Sequence, residues 1–206
     1  MRKMPCLFVR EFEGNRIARI TDTVTPGCEW VLAGEGTAYI KRDGTSCAVI
    51  NGVLHRRYDA KRGKTPPPVA IPCDPAPDPV TGHWPHWVIV AHDGQDTHHR
   101  RAWEREVERL DGCMADGTYE LCGPHFQANP ERLERDTFIK HDSERVTHPW
   151  ANEALSLCDV PLSFDTLRAL MDAWNHEGLV FHHPDGRMAK IRRADFGFEW
   201  PIKEAS

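Results

Sequence analysis

Apolar runs broken by turn-forming residues divide the chain into a series of short strands and two helices. Thr37-Ala38-Tyr39-Ile40 is an extended apolar run ending in Lys41, and Ser46 to Ile50 is a second one. Between them, Lys41-Arg42-Asp43-Gly44-Thr45 predicts a strand that ends in a tight Asp-Gly turn. Asn51-Gly52 between two apolar runs predicts a hairpin with a type I′ turn. In that register Ile50 faces Val53, Ala48 faces His55, Cys47 faces Arg56 and Ser46 faces Arg57. Trp87 to Ala91 is strand-like, and Asp96 is placed to cap a helix from Thr97 to Leu110 with Trp103, Val107 and Leu110 on one face. Gly117 to Cys122 predicts a strand in which Glu120 points away from Tyr119 and Leu121. Ser163 caps a second helix, whose Phe164, Leu167, Leu170, Met171 and Trp174 form a core stripe. A last hairpin joins Glu177–His182 to Met188–Arg192 through Pro184-Asp185-Gly186.

Residues 65–79 hold seven prolines in fifteen positions, which rules out regular structure and predicts a long surface loop within one domain, 1–206. The composition, 40% hydrophobic and 28% charged, is that of a soluble globular protein. No run reaches the roughly 20 apolar residues of a membrane span. Arg10 and Glu11 cut the apolar part of the N-terminus too short for a secretory signal, so a cytoplasmic protein is expected. Seven cysteines without a CxxC pair predict reduced thiols. The histidines at 83, 86, 92, 98 and 99 match no structural zinc spacing, and their role stays open. Trp84 and Trp87 are read as packing residues rather than base-stacking ones.

The net charge of −5 argues against bulk affinity for nucleic acid, but its distribution is uneven. Arg56, Arg57, Lys61, Arg62 and Lys64 form one basic cluster, and Arg187, Lys190, Arg192 and Arg193 another. A lysine at the end of a strand becomes a nucleophile when it is desolvated or crowded by other cations. Lys190 and Arg192, two apart on a strand, point to one face, where both can reach phosphates. Glu177 lies on the partner strand, near enough to set a divalent cation against those oxygens.

In order and type, Lys41-Arg42-Asp43-Gly44, Arg56 or Arg57, Tyr119-Glu120, Glu177-Gly178-Leu179-Val180 and Lys190-Ile191-Arg192 resemble the motifs of the covalent nucleotidyltransferases. The wider text at 26–36, 41–47, 81–88, 118–131 and 177–197 is similar to the small ATP-dependent RNA ligases, the family that includes vertebrate RNA ligase 1 and phage or bacterial relatives. Arg192 departs from the second lysine more usual there, exchanging a point charge for a planar fork.

The resemblance implies an α+β nucleotidyltransferase domain of two antiparallel sheets with flanking helices and ATP between them. With 14 residues after Arg192, no appended OB domain is expected. Lys41 would take AMP from ATP and pass it to an RNA 5′-phosphate, which a 3′-hydroxyl then seals. Asp43, Glu177 and Lys190 would assist, with Mg²⁺ or Mn²⁺ held by Glu177 and Asp43. Glu120 would meet the ribose, and Arg56 or Arg57 the nucleotide or the acceptor strand. Arg57, Lys61, Arg62 and Lys64 would contact RNA, and the protein would act as a monomer. The alternatives are DNA ligation, GTP-dependent capping, or an inactive RNA-end-binding module.

Overall fold

The computed structural model describes residues 4–14, 16–79, 81–92, 94–146 and 162–203. In chain order the elements are β1 (Phe8–Glu13), β2 (Arg16–Val24), α1 (Glu29–Leu32), β3 (Thr37–Lys41), β4 (Thr45–Ile50), β5 (Val53–Ala60) and β6 (Ile71–Pro72). They continue with β7 (Trp84–Ile89), α2 (Thr97–Arg109), β8 (Gly117–Cys122), β9 (Thr137–Lys140) and β10 (Arg145–Val146). The last three are α3 (Phe164–Ala173), β11 (Gly178–His182) and β12 (Met188–Arg192). The fold is mixed α+β with antiparallel strand pairing throughout its sheets. Among the described residues there are three sheets rather than the expected two, because β1 and β2 form a ribbon of their own. Asp43–His141 forms one compact unit, and Met4–Arg42 with Asp142–Ser206 the other.

The first unit is built on a six-stranded sheet in the order β6-β7-β5-β4-β8-β9. The Asn51-Gly52 hairpin has the expected register, Ile50 with Val53, Ala48 with His55 and Cys47 with Arg56. Both turn residues have positive φ, 51° and 73°, as a type I′ turn requires. One sheet face carries Cys47, Val49, Leu54, Tyr119, Leu121 and Phe138, which pack with Ala102 of α2, Met114 and Phe126. Ala102 is the buried residue of α2, while Leu110, expected on its apolar face, lies beyond the helix and is exposed. Asp96 occupies the N-cap position but does not cap the helix with its side chain. It accepts a hydrogen bond from the Ala91 N–H (2.8 Å) instead. The strand expected at Trp87–Ala91 runs from Trp84 to Ile89. In the Pro-rich segment, Ile71 and Pro72 pair with Trp87 and His86.

In the second unit the four-stranded sheet has the order β10-β3-β11-β12. Its inner face, with Ala38, Leu179, Phe181, Ala189 and Ile191, packs against Leu167, Leu170 and Met171 of α3. Leu7 and Phe8 of the N-terminal segment join that core, fully buried. The Ser163 hydroxyl accepts the Thr166 N–H (3.2 Å), and the Thr166 hydroxyl accepts the Ser163 N–H (2.8 Å), so α3 begins with a reciprocal cap. At the other end the buried Arg193 donates to the carbonyls of Asp172 (2.9 Å), Trp174 (2.7 Å) and Met171. That guanidinium takes up carbonyls at the C-terminal end of the helix and ties α3 to the residue after β12.

β3 and β4 are not partners in one sheet. The segment Arg42-Asp43-Gly44 is therefore the passage from one unit to the other, not a hairpin turn. Among the described residues, no helix is long and apolar enough to cross a membrane. The six described cysteines are free thiols, and Cys158 lies outside the described residues.

Candidate active site

Four of the residues singled out in the sequence come together in the second unit. Across its sheet Lys41 is level with Gly178, and Gly178 with Arg192. Two positions along, Tyr39, Val180 and Lys190 are level in the same way. Side chains two apart on a strand share a face, so Lys41, Lys190 and Arg192 emerge on the face opposite the core. Two strand spacings put Lys41 and Arg192 about 10 Å apart at their backbones, a span that one polyphosphate can bridge with both long side chains. Gly178 puts no side chain between them. A Cβ there would overlap the Ile191 carbonyl oxygen, so any larger residue must move the strands.

Glu177 immediately precedes β11 and is buried. Its carboxylate pairs with the Lys41 ammonium, the two side chains being 11% and 19% exposed. Burial first, and then the charges of Lys41, Arg192 and Arg10, push the Lys190 ammonium from 10.5 down to about 8, against the pull of Glu177. Arg42, the next residue after Lys41, is clamped by Glu144 through Nε (2.8 Å) and Nη2 (2.6 Å), and its Nη1 lies 3.2 Å from His176 Nδ1. This fork-to-carboxylate pair fixes the backbone at the end of β3.

Two further participants carry no local signal in the sequence. Asp195 is fully buried and accepts from Arg10 (2.6 Å) and Arg192 (2.9 Å). It also takes the Arg192 backbone N–H (2.9 Å), and the Cys6 thiol lies 3.5 Å away. Burial pulls the Asp195 carboxyl up, but the Arg192 hydrogen bond and the two guanidinium charges outweigh it and hold the group below its ordinary value. Arg10 reaches the cluster from β1. The N-terminal segment is aligned there by backbone bonds from Leu7 N–H to Lys190 O (2.8 Å) and from Lys190 N–H to Pro5 O (3.0 Å). The result is four cations, Arg10, Lys41, Lys190 and Arg192, against two carboxylates, Glu177 and Asp195. A partly buried excess of positive charge of this kind suits a phosphorylated anion.

The remaining candidates belong to the first unit. Glu120 lies on the sheet face opposite Tyr119 and Leu121, as expected. Its carboxylate accepts from the Gly44 N–H (3.1 Å) and lies 2.9 Å from His141 Nε2. The Asp43 N–H donates to Glu131 (3.0 Å). The two arginines that the sequence leaves as alternatives part company here. Arg56 is paired with Cys47, and so sits on the core face, where its Nε lies 2.8 Å from the buried Asp96 carboxylate. Arg57 alternates to the Glu120 face and bonds Asp59 (2.9 Å). Lys61, Arg62 and Lys64 follow β5 on an exposed loop. Trp87 is buried, and the half-buried Trp84 donates its indole N–H to Asp74 O (2.8 Å).

No protein-family model matches this chain, and no curated protein matches it. What the site can do therefore follows from its own residues.

Proposed function

We propose that this chain is an ATP-dependent RNA ligase that works through a covalent lysyl-AMP. The observation that carries the reading is the common sheet face of Lys41, Lys190 and Arg192, with Glu177 on Lys41. Lys41 Nζ gives up its ammonium proton, for which the Glu177 oxygen it already touches is an acceptor in reach. It then attacks the α-phosphorus of ATP. An N–P bond forms as the bond to the pyrophosphate oxygen breaks, and Lys190 and Arg192 take up charge on the phosphate oxygens. Asp195 and Arg10 hold the Arg192 fork in place for that task. The Glu177 carboxylate fits Mg²⁺ (or Mn²⁺), which takes one or two carboxylates together with waters and phosphate oxygens. Such an ion would supply neutralisation of the leaving pyrophosphate.

In the next step an RNA 5′-phosphate oxygen attacks the α-phosphorus and frees Lys41. A 3′-hydroxyl then attacks the activated 5′-phosphorus, and AMP leaves. The exposed Lys61, Arg62 and Lys64 suit an RNA backbone. RNA, rather than DNA, rests on the resemblance of the motif texts.

The test is incubation with labelled ATP or GTP, followed by 5′-phosphorylated RNA or nicked DNA. Covalent label from ATP and sealing of RNA are expected. Label from GTP alone, or sealing of DNA alone, would replace this reading with capping or DNA ligation. RNA-end binding without covalent label would leave a binding module.

A further inference from the structure

The fold of the first unit joins three ligating side chains that are far apart in sequence. His98 lies in the first turn of α2, His125 in the loop after β8, and Asp136 immediately before β9. One ligand atom from each lies within 4.8 Å of the other two. The His98 and His125 rings stack, with centroids 3.8 Å apart and planes 17° from parallel. His125 Nδ1 is 2.7 Å from Asp136 Oδ2, and the His125 backbone N–H donates to Oδ1 (3.2 Å). The Asp136 side chain is only 7% exposed while that of His125 is 48% exposed, so the group has a buried anchor and a solvent-open side. Arg105, also on α2, donates to the Asp136 carbonyl and holds the backbone behind that anchor. The neighbouring His99 turns away to pack edge-on against Phe126, leaving His98 alone of the pair to meet His125.

We infer that His98, His125 and Asp136 form a binding site for Zn²⁺ or a similar first-row divalent ion. Two imidazoles and a carboxylate are donors of the type that such ions prefer, whereas Mg²⁺ favours oxygen donors alone. Zn²⁺ sits about 2.0–2.2 Å from nitrogen and oxygen donors, so tetrahedral donors stand about 3.4 Å from one another. Closing a separation of up to 4.8 Å to that distance takes about 1.4 Å, within the reach of small changes in the side-chain torsions. With the ion bound, Asp136 Oδ1 keeps the His125 N–H and orients the carboxylate, in the manner of outer hydrogen bonds at metal centres. Three protein ligands leave a fourth position for water on the open side. The ion would clamp the start of α2 to the connection between β8 and β9. This site is independent of Lys41 and of the ligase reading.

The test uses the untagged full chain, stripped with chelator, reloaded with Zn²⁺ or Co²⁺ and passed through gel filtration. Wild type is expected to retain one Zn²⁺ per chain, to melt at a higher temperature with zinc than without, and to give visible d–d absorption with Co²⁺. His98→Gln and His125→Gln should each lose the retained metal and the Co²⁺ bands, while His83→Gln should keep both. Circular dichroism establishes that the variants are folded. Failure of wild type to retain zinc would overturn the inference whatever the variants do. Equal retention in the folded His98→Gln and His125→Gln proteins would overturn it too, by placing the metal elsewhere.

Discussion

Keeping Lys190 charged is costly in its half-buried position beside Lys41, Arg192 and Arg10, and its ammonium titrates near 8 rather than 10.5. Between those values the unfolded chain binds more protons than the folded one, so this group's contribution to stability rises with pH from about 8 to 10.5. Below about 8 both states are protonated and the penalty is fully present. The proposed nucleotide binding would follow the opposite course, because a neutral Lys190 must take up a proton to serve a phosphate. ATP affinity should fall above about pH 8, by at most about tenfold per pH unit, and Lys190→Arg should flatten that limb in binding titrations. Asp195→Asn leaves Arg10 and Arg192 without their shared counter-charge and should cost about 3–5 kcal/mol in urea unfolding at pH 7. At this scale the shared face of Lys190 and Arg192 is legible in the sequence, since alternation along a strand fixes it. Lys41 joins them through the pairing of β3 with β11, and Glu177 reaches Lys41 from a position just before that strand. Asp195 and Arg10 are not legible. They are 185 positions apart, and no local pattern announces that a buried carboxylate will be met by an arginine from the other end of the chain.

Between the two outer strands of the site, β11 contributes a glycine. Gly178→Ala sets a Cβ against the Ile191 carbonyl and should destabilise the protein by about 1–3 kcal/mol, measured by thermal or urea unfolding. The same substitution should weaken any nucleotide chemistry at Lys41, since it displaces β12 and with it Lys190 and Arg192. Elements governed by local chemistry are legible. Asn51-Gly52 dictates its hairpin through its own backbone preferences, and the Ser163 cap and apolar stripe dictate α3. Elements that depend on distant partners are not. Gly14-Asn15 is a hairpin dipeptide that marks the β1–β2 turn but not the ribbon's separation from the other sheets, and Arg42-Asp43-Gly44 has the composition of a tight turn although the strands on either side join different sheets. Asp96 is legible as the residue before α2, but its carboxylate is used by Ala91 and Arg56, which a capping rule does not foresee.

For the molecule as a whole, the fold class is legible because short strands between turn signals outnumber helices. Division into two units is not, because the chain crosses between them at 42–43 and again at 141–142 without a change in composition. Substrate preference belongs to this scale as well. Lys61→Ala combined with Lys64→Ala should spare AMP transfer to the protein while weakening RNA sealing. It should also reduce the salt dependence of RNA binding by about 1.4 in log–log slope, at about 0.7 per charge on a single strand. The central claim is that Lys41 carries AMP. Mass spectrometry of the intact protein and of its peptides after incubation with Mg-ATP tests it most directly. A gain of one AMP, located on Lys41 and lost in Lys41→Ala, is the predicted result. No adduct, or an adduct that persists in Lys41→Ala, would contradict it.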